Sequence, residues 1–264
     1  MTLAEMDLKS ELSPDEEIQT LMKAGVHIGH VKSKTHPAMR PFIFTTRNNV
    51  QIIDVLKTKE FLVKAEAFLE SVRARGGLIL WVGTRPSARV AVEQAAKKTS
   101  MPYVTTRWTG GLLTNFRVIS KRVQDMEEIE RQTRDGELEK YTKQERARIN
   151  DEYQSLVKVH DGLRLLKKMP DAVIIIDTLQ DNLAVNEARK VRIPIVALSD
   201  TNTDPNLVTY SIPSNDDARL AVGYMTERLA EAILEGAEEA KRVEALAKAK
   251  AEEAKAKVQE ELKA

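Results

Sequence analysis

The sequence predicts an α/β protein, a doubly wound parallel sheet from which an antiparallel helical hairpin projects. Three observations carry this. Continuous apolar runs at 78–82, 172–176 and 194–198 have the length and β-branched content of strands covered on both faces. Segments of helical spacing alternate with them, as crossovers in a parallel sheet require. Between 115 and 169 the pattern is helical, highly charged and far too long for one crossover.

Each element has its own signal. Residues 1–14 read as a mobile arm. A helix is expected over 15–24, with Ser13 as N-cap, Pro14 at its first position and Gly25 as its stop. His27 to Thr46 reads as loop ending in a short strand at Phe42-Ile43-Phe44. Arg47-Asn48-Asn49 is turn-like, and Val50-Gln51-Ile52-Ile53 is a second strand. Phe61, Leu62, Ala65, Phe68, Leu69 and Val72 recur at helical spacing over 58–73, and Gly76-Gly77 ends that helix. After the strand at 78–82, Pro86 opens a helix over 86–99, and Tyr103-Val104 is a brief strand. A helix over 182–191 separates the later two apolar runs. An edge strand at 208–212 and a closing helix at 216–234 complete the sheet domain.

The hairpin is divided at Thr133-Arg134-Asp135-Gly136, and Thr142 with Glu145 forms a capping-box pattern that starts its second arm. Ile119, Val123 and Met126 on one arm, and Ile149, Tyr153, Leu156, His160 and Leu163 on the other, make a narrow apolar seam. So narrow a stripe argues for projection rather than packing on the sheet. The organisation expected is an arm at 1–14, a sheet domain from 15–114 and 170–236, an inserted hairpin at 115–169, and an Ala/Glu/Lys tail at 237–264. In the tail Glu244 with Lys248 and Glu253 with Lys257 fall within one turn, so it reads as a solvated helix or a partly disordered segment.

A chain of 264 residues buries a sizeable core. With no cysteine, disulfides, thiol catalysis and cysteine-based metal sites are excluded. The polar start has no signal-peptide run and no stretch is apolar enough to cross a bilayer, so a cytoplasmic protein without a membrane partner is expected. The charged fraction is 31% but the net charge is only +1. The distribution says more than the sum. Residues 25–58 carry Lys32, Lys34, Arg40, Arg47 and Lys57 against Asp54 alone, and 73–117 carry eight Lys and Arg against Glu93 alone. Such segregation places a positive field on one face of a nearly neutral protein.

Chemistry-bearing motifs are incomplete. After the strand at 78–82, where a phosphate-binding glycine loop would stand, the chain reads Gly83-Thr84-Arg85-Pro86-Ser87, with neither GxGxxG nor a Walker lysine. Arg85 and the helix end suffice to hold a phosphate of a polymer. Asp177 and Asp200 lie just past strand ends, where they and Asp204 could hold Mg²⁺; turn and capping aspartates are the preferred reading. His27 and His30, with His36 nearby, are read as packing in a tight loop around Gly25 and Gly29 rather than as metal ligands, and no metal or other cofactor is expected. The run from Arg107 to Phe116 puts Arg, Trp and Asn around a Gly-Gly bend. Trp108 is read as a structural anchor and the arginines as functional.

Several runs together resemble a known family. Gly25-Val26-His27-Ile28-Gly29-His30 is similar to the GVHFGH run, and Arg107-Trp108-Thr109-Gly110-Gly111-Leu112-Leu113-Thr114-Asn115 to the RWLGGMLTN run, of the bacterial ribosomal protein S-two family. Pro41-Phe42-Ile43-Phe44, Val82-Gly83-Thr84, Asp200-Thr201-Asn202 and Ile212-Pro213-Ser214-Asn215-Asp216-Asp217-Ala218 follow in the family's order, and the match spans roughly 18–236. Ile28 stands where the family has Phe, and Thr109 where it has Leu. The resemblance implies a flavodoxin-like sheet with a protruding coiled-coil hairpin, in a structural protein of the small ribosomal subunit. The implied partners are small-subunit rRNA and neighbouring ribosomal proteins, including an S-one-type protein that captures mRNA. Candidate RNA contacts are Lys32, Lys34, Arg40, Arg47, Arg85, Arg107 and Arg117, with the hairpin bases Lys121, Arg122, Arg146 and Arg148. Two rivals remain: an enzyme using the Gly83 loop with Asp177 and Asp200, and an adaptor docking a protein through the hairpin or tail.

Overall fold

The computed structural model describes residues 14–261. The chain runs through α1 (Pro14–Ala24), β1 (Ile28–Val31), β2 (Ile43–Arg47), β3 (Val50–Ile53), α2 (Val55–Ala74), β4 (Ile79–Val82), α3 (Pro86–Thr99) and β5 (Tyr103–Val104). It continues through α4 (Phe116–Arg134), α5 (Lys143–His160), β6 (Ala172–Ile175), α6 (Asn182–Lys190), β7 (Ile195–Ser199), β8 (Tyr210–Pro213) and α7 (Arg219–Glu261). The expected cap at Ser13 and the arm before it lie outside the described residues.

The long apolar runs become the central strands of a parallel sheet in the order β5-β4-β6-β7-β8. Counted within the sheet this is the flavodoxin-like order, with the switch point between β4 and β6. Alternation along each strand divides the core. Ile79, Trp81, Ile174, Val196 and Leu198 face one cluster with Leu62, Leu69, Val92, Tyr224 and Leu229. Leu80, Val82, Val173, Ile175, Ile195 and Ala197 face another with Leu112, Leu113, Val185 and Leu163. Both faces being covered explains why the sequence shows continuous rather than alternating apolar runs. Edge strand β8 carries Tyr210, which stacks on Phe68 of α2 with ring centroids 4.4 Å apart.

β1, β3 and β2 form a separate antiparallel sheet. Asn48 and Asn49 both have positive φ (49° and 63°) and close the two-residue hairpin between β2 and β3. Asparagine tolerates that conformation, and the turn twists as its strands do.

The hairpin differs from expectation at its base. α4 and α5 pack against each other, but Ile119, Val123 and Met126 belong to the sheet's second cluster, with Val82, Val173 and Ile175. Through the turns of α4 nearest the body, the seam therefore joins the apolar cluster that covers the sheet. The loop 108–113 and Leu163 widen the apolar surface there, which no periodicity within one helix reveals. Further out, Glu128, Arg131, Arg134 and Asp135 are exposed.

α7 closes the other face. It begins three residues later than the helix expected from 216 and continues through the Ala/Glu/Lys segment to Glu261. At Gly236 it approaches α2 so closely that a Cβ would collide with the Glu70 carbonyl. Arg228, fully buried, bonds Glu17 of α1 (2.7 Å), Glu66 of α2 (3.0 Å) and the Tyr224 hydroxyl (3.1 Å). One guanidinium thus ties three helices, and its forked donors suit two carboxylates at once. Arg228→Ala is expected to cost about 3–5 kcal/mol in urea unfolding, because the buried Glu66 and Glu17 each lose an ion-pair partner, Glu17 keeping Lys59.

Candidate nucleic-acid interface

The carboxyl ends of the parallel strands are where this fold class binds phosphates. Here the position is taken by the chain's own acids. Thr84 donates from its backbone N–H (3.2 Å) and its hydroxyl (2.8 Å) to the Asp181 carboxylate. Arg85 pairs with Asp177 (2.9 Å), Asp216 (3.4 Å) and Asp217. Asp181, Asp177 and Asp216 are buried. The sequence offers Arg85 for a phosphate; in the structure its guanidinium is partly exposed and held among these carboxylates.

Asp177 and Asp200 also do the capping work read from their positions. Asp177 Oδ1 accepts from the backbone N–H groups of Leu179 and Gln180, and Asp200 accepts from Thr201. Asp204 caps the short turn Pro205–Leu207, apart from the cluster.

The small sheet delivers His30 to this cluster. Gly29 lies against Thr201, where a Cβ would collide with the threonine side chain, and His30 N–H donates to Thr201 Oγ1 (2.9 Å). The close approach expected of the glycine is thus realised. His30 Nδ1 reaches Asp200 (2.9 Å) and Nε2 reaches Asp217 (3.2 Å). The other histidines diverge: His27 packs inward, and His36 Nδ1 accepts from Ala38 N–H to cap a turn. Among the described residues His30, Asp216 and Asp217 alone bring three potential metal-ligand atoms within 4.8 Å of one another, a set a divalent cation could use. It was not visible in sequence, because the carboxylates lie far along the chain from His30.

The loop at 107–115 is organised by one carboxylate. Glu187 of α6 accepts from Trp108 Nε1 (3.1 Å), from the N–H groups of Gly111 (2.8 Å), Leu113 (3.0 Å) and Thr114 (3.2 Å), and from the Thr114 hydroxyl (3.2 Å). Burial opposes its ionisation, but these donors outweigh burial and hold the carboxyl below its ordinary range. Trp108 is buried, as the anchoring reading expects, while Arg107 beside it is exposed. Sequence reading missed Glu187. The available signal was an acid on the apolar face of a short helix, opposite a loop full of backbone donors.

The remaining expected cations fall into two groups. Lys32, Lys34, Arg40 and Arg47 are exposed around the small sheet, and Lys32 N–H bonds the Asn49 carbonyl beside Arg47. Arg117, Lys121, Arg122, Arg146 and Arg148 are exposed on α4 and α5. Arg107 and Arg122 line one cavity, and Arg146 lines another between the two helices. None of these ten makes an ion pair with a described residue, whereas Arg131 and Arg164 are matched by Glu128, Asp135, Glu130 and Asp161.

Two outcomes follow from this geometry. Glu187→Ala strands an indole N–H and three amides; we expect a loss of about 3 kcal/mol and faster hydrogen exchange at Gly111, Leu113 and Thr114. The second concerns pH. Burial, with the charges of Asp177 and Asp200, pushes Asp216 from 3.8 up to about 7, and hydrogen bonding to Asp200 raises His30 above 6.5. A raised acid opposes folding progressively as pH rises from its unfolded to its folded value. A raised histidine stabilises fully below its unfolded value and loses that contribution as pH climbs through its folded one. Both act in one direction. The melting temperature of Asp216→Asn should therefore gain on the parent between pH 5.5 and about 7; a constant difference would show that Asp216 does not titrate there.

The model of the family described as Ribosomal protein S2 matches residues 21–236. The chain is 42% identical over 218 residues to the small ribosomal subunit protein uS2 of one strain of Thermus thermophilus, covering 83% of this chain and 85% of that protein. The same protein of a second Thermus thermophilus strain matches to the same extent. The acids that fill the phosphate position of the fold are consistent with a scaffold that performs no nucleotide chemistry. By the span of the family model and this identity, the chain belongs to the ribosomal protein S2 family, a family of structural, non-enzymatic proteins of the small ribosomal subunit.

Proposed function

We propose that the chain is a structural constituent of the small ribosomal subunit that holds small-subunit rRNA through phosphate and shape contacts. The observation that carries this is the grouping of ten exposed cations, none with an acidic partner among the described residues, around the small sheet and along the 107 loop with α4 and α5. Lys32, Lys34, Arg40 and Arg47 form one contact region. Arg107, Arg117, Lys121, Arg122, Arg146 and Arg148 form the second. An A-form helix offers its backbone and its wide shallow groove, so widely spaced cations suit it better than a base-reading cleft. The cytoplasmic ribosome is its location, and rRNA and neighbouring subunit proteins are its partners.

In this reading 15–114 with 170–236 is the body, and 115–169 an inserted coiled-coil hairpin whose distal half stands clear of the body. The exposure of Glu128, Arg131, Arg134 and Asp135 supports that placement. Recruitment of an S-one-type mRNA-binding protein belongs to the same reading and rests on the family resemblance. Subunits assembled without the chain should then retain less of that protein on sedimentation.

The direct test is binding of the full chain to small-subunit rRNA as a function of salt, with co-sedimentation on subunits. Joint replacement of Lys32, Lys34, Arg40 and Arg47 by alanine should lower the slope of log affinity against log salt by about three to four. Arg85→Ala should leave the slope unchanged, since that charge is already neutralised. Failure of the parent chain to bind or co-sediment at low salt would overturn the proposal.

A further inference from the structure

Between the 107–110 loop and the helix pair α4 and α5 lies a cavity of about 310 Å³. Leu156 and Val159 form its apolar wall, Gly110 leaves its side open, and Arg107 and Arg122 stand as exposed cations among its lining. His160 also lines it, is 2% exposed, and has a buried Nδ1 with no partner among the described residues. Burial and the neighbouring Arg122 charge lower its pKa, so the ring is neutral at physiological pH and offers one donor and one acceptor. A buried polar nitrogen without a partner is rare in native proteins and calls for a ligand or a water.

These features select a ligand class. The volume sits at the lower end of the usual range for ligand pockets and suits one nucleoside. The apolar wall suits the face of a base, the imidazole of His160 its hydrogen-bonding edge, and the two guanidiniums of the lining its phosphate. The geometry points to a pocket for a single unstacked nucleotide of RNA, its base against Leu156 and Val159 and bonded to His160, its phosphate between Arg107 and Arg122. This rests on the rRNA-binding reading above and adds to it a point of base recognition, which phosphate contacts alone do not provide. Glu187 sets the pocket's loop side and acts on it as a positioning residue.

The experiment measures affinity of the full chain for a small-subunit rRNA transcript across salt, together with base-specific chemical probing. Leu156→Trp fills the cavity. Ser155→Leu adds bulk at an exposed lining position, where folding is not at risk, and His160→Phe keeps a ring without its nitrogens. Each should weaken binding about tenfold; His160→Phe, which leaves the phosphate contact in place, should do so with an unchanged salt slope. Each should also expose to the probe one base that the parent protects. If the parent binds rRNA but all three variants match it in affinity and footprint, the pocket is overturned while the rRNA reading stands. If the parent itself fails to bind, both fall. Free nucleoside 5′-monophosphates at millimolar concentration serve as competitors. Their binding to the parent without any base of the transcript being protected would assign the cavity to free nucleotides and overturn the polymer reading.

Discussion

The Glu187 carboxylate is the contact on which the loop at 107–115 depends. It is one residue on a nine-residue helix, yet it accepts from an indole, three backbone amides and a hydroxyl of a loop far away in sequence. A loop that folds back over a sheet face leaves amides pointing inward, and buried amides without acceptors are costly. Glu187 meets that requirement with one charge. The consequence is positional: Trp108 is pinned inward, Arg107 is turned to solvent, and α4 leaves the body at a fixed place. The hairpin, the second cation group and the cavity beside His160 all take their positions from this loop.

A second constraint explains how a fold that elsewhere holds nucleotides serves another purpose. At the carboxyl ends of β4, β6, β7 and β8 the chain places Asp181, Asp177, Asp200, Asp216 and Asp217 around Thr84, Arg85 and His30. An internal carboxylate occupies the amide that a phosphate would use. The cluster carries more anions than cations, which favours protonation or a bound cation, as the elevated Asp216 shows. An excess of positive charge remains at the small sheet, where Lys32, Lys34, Arg40 and Arg47 are exposed, while the helix pair interleaves both signs. A near-neutral total therefore conceals local differences in charge.

Much of this architecture was legible before any coordinates. The runs at 78–82, 172–176 and 194–198 had to be strands buried on both faces, because only such strands tolerate unbroken apolar sequence. Helical spacing over 58–73 and the Thr142–Glu145 capping box likewise depend on neighbours within a turn or two, and both appear as read. The incomplete phosphate loop was legible for the same reason: a motif either has its glycines and lysine or lacks them. The order of the runs also carried the family, since each run constrains the next.

What sequence left open was whatever depended on residues far apart meeting. Arg85 reads as a free cation until Asp216 and Asp217 are folded against it. The three histidines read as packing in one tight loop, and only the fold shows that His30 is sent to Asp200 and Asp217 while His27 and His36 go elsewhere. Ile119, Val123 and Met126 read as a self-contained seam, because the cluster they join is completed by residues far away in sequence. Local periodicity, caps and composition are fixed by contacts within a turn or between adjacent residues, so the sequence by itself determined the elements, their order and the absence of a nucleotide motif. Which cations remain unneutralised, and where a buried polar nitrogen is left without a partner, are set by long-range juxtaposition, and only the tertiary structure decided them.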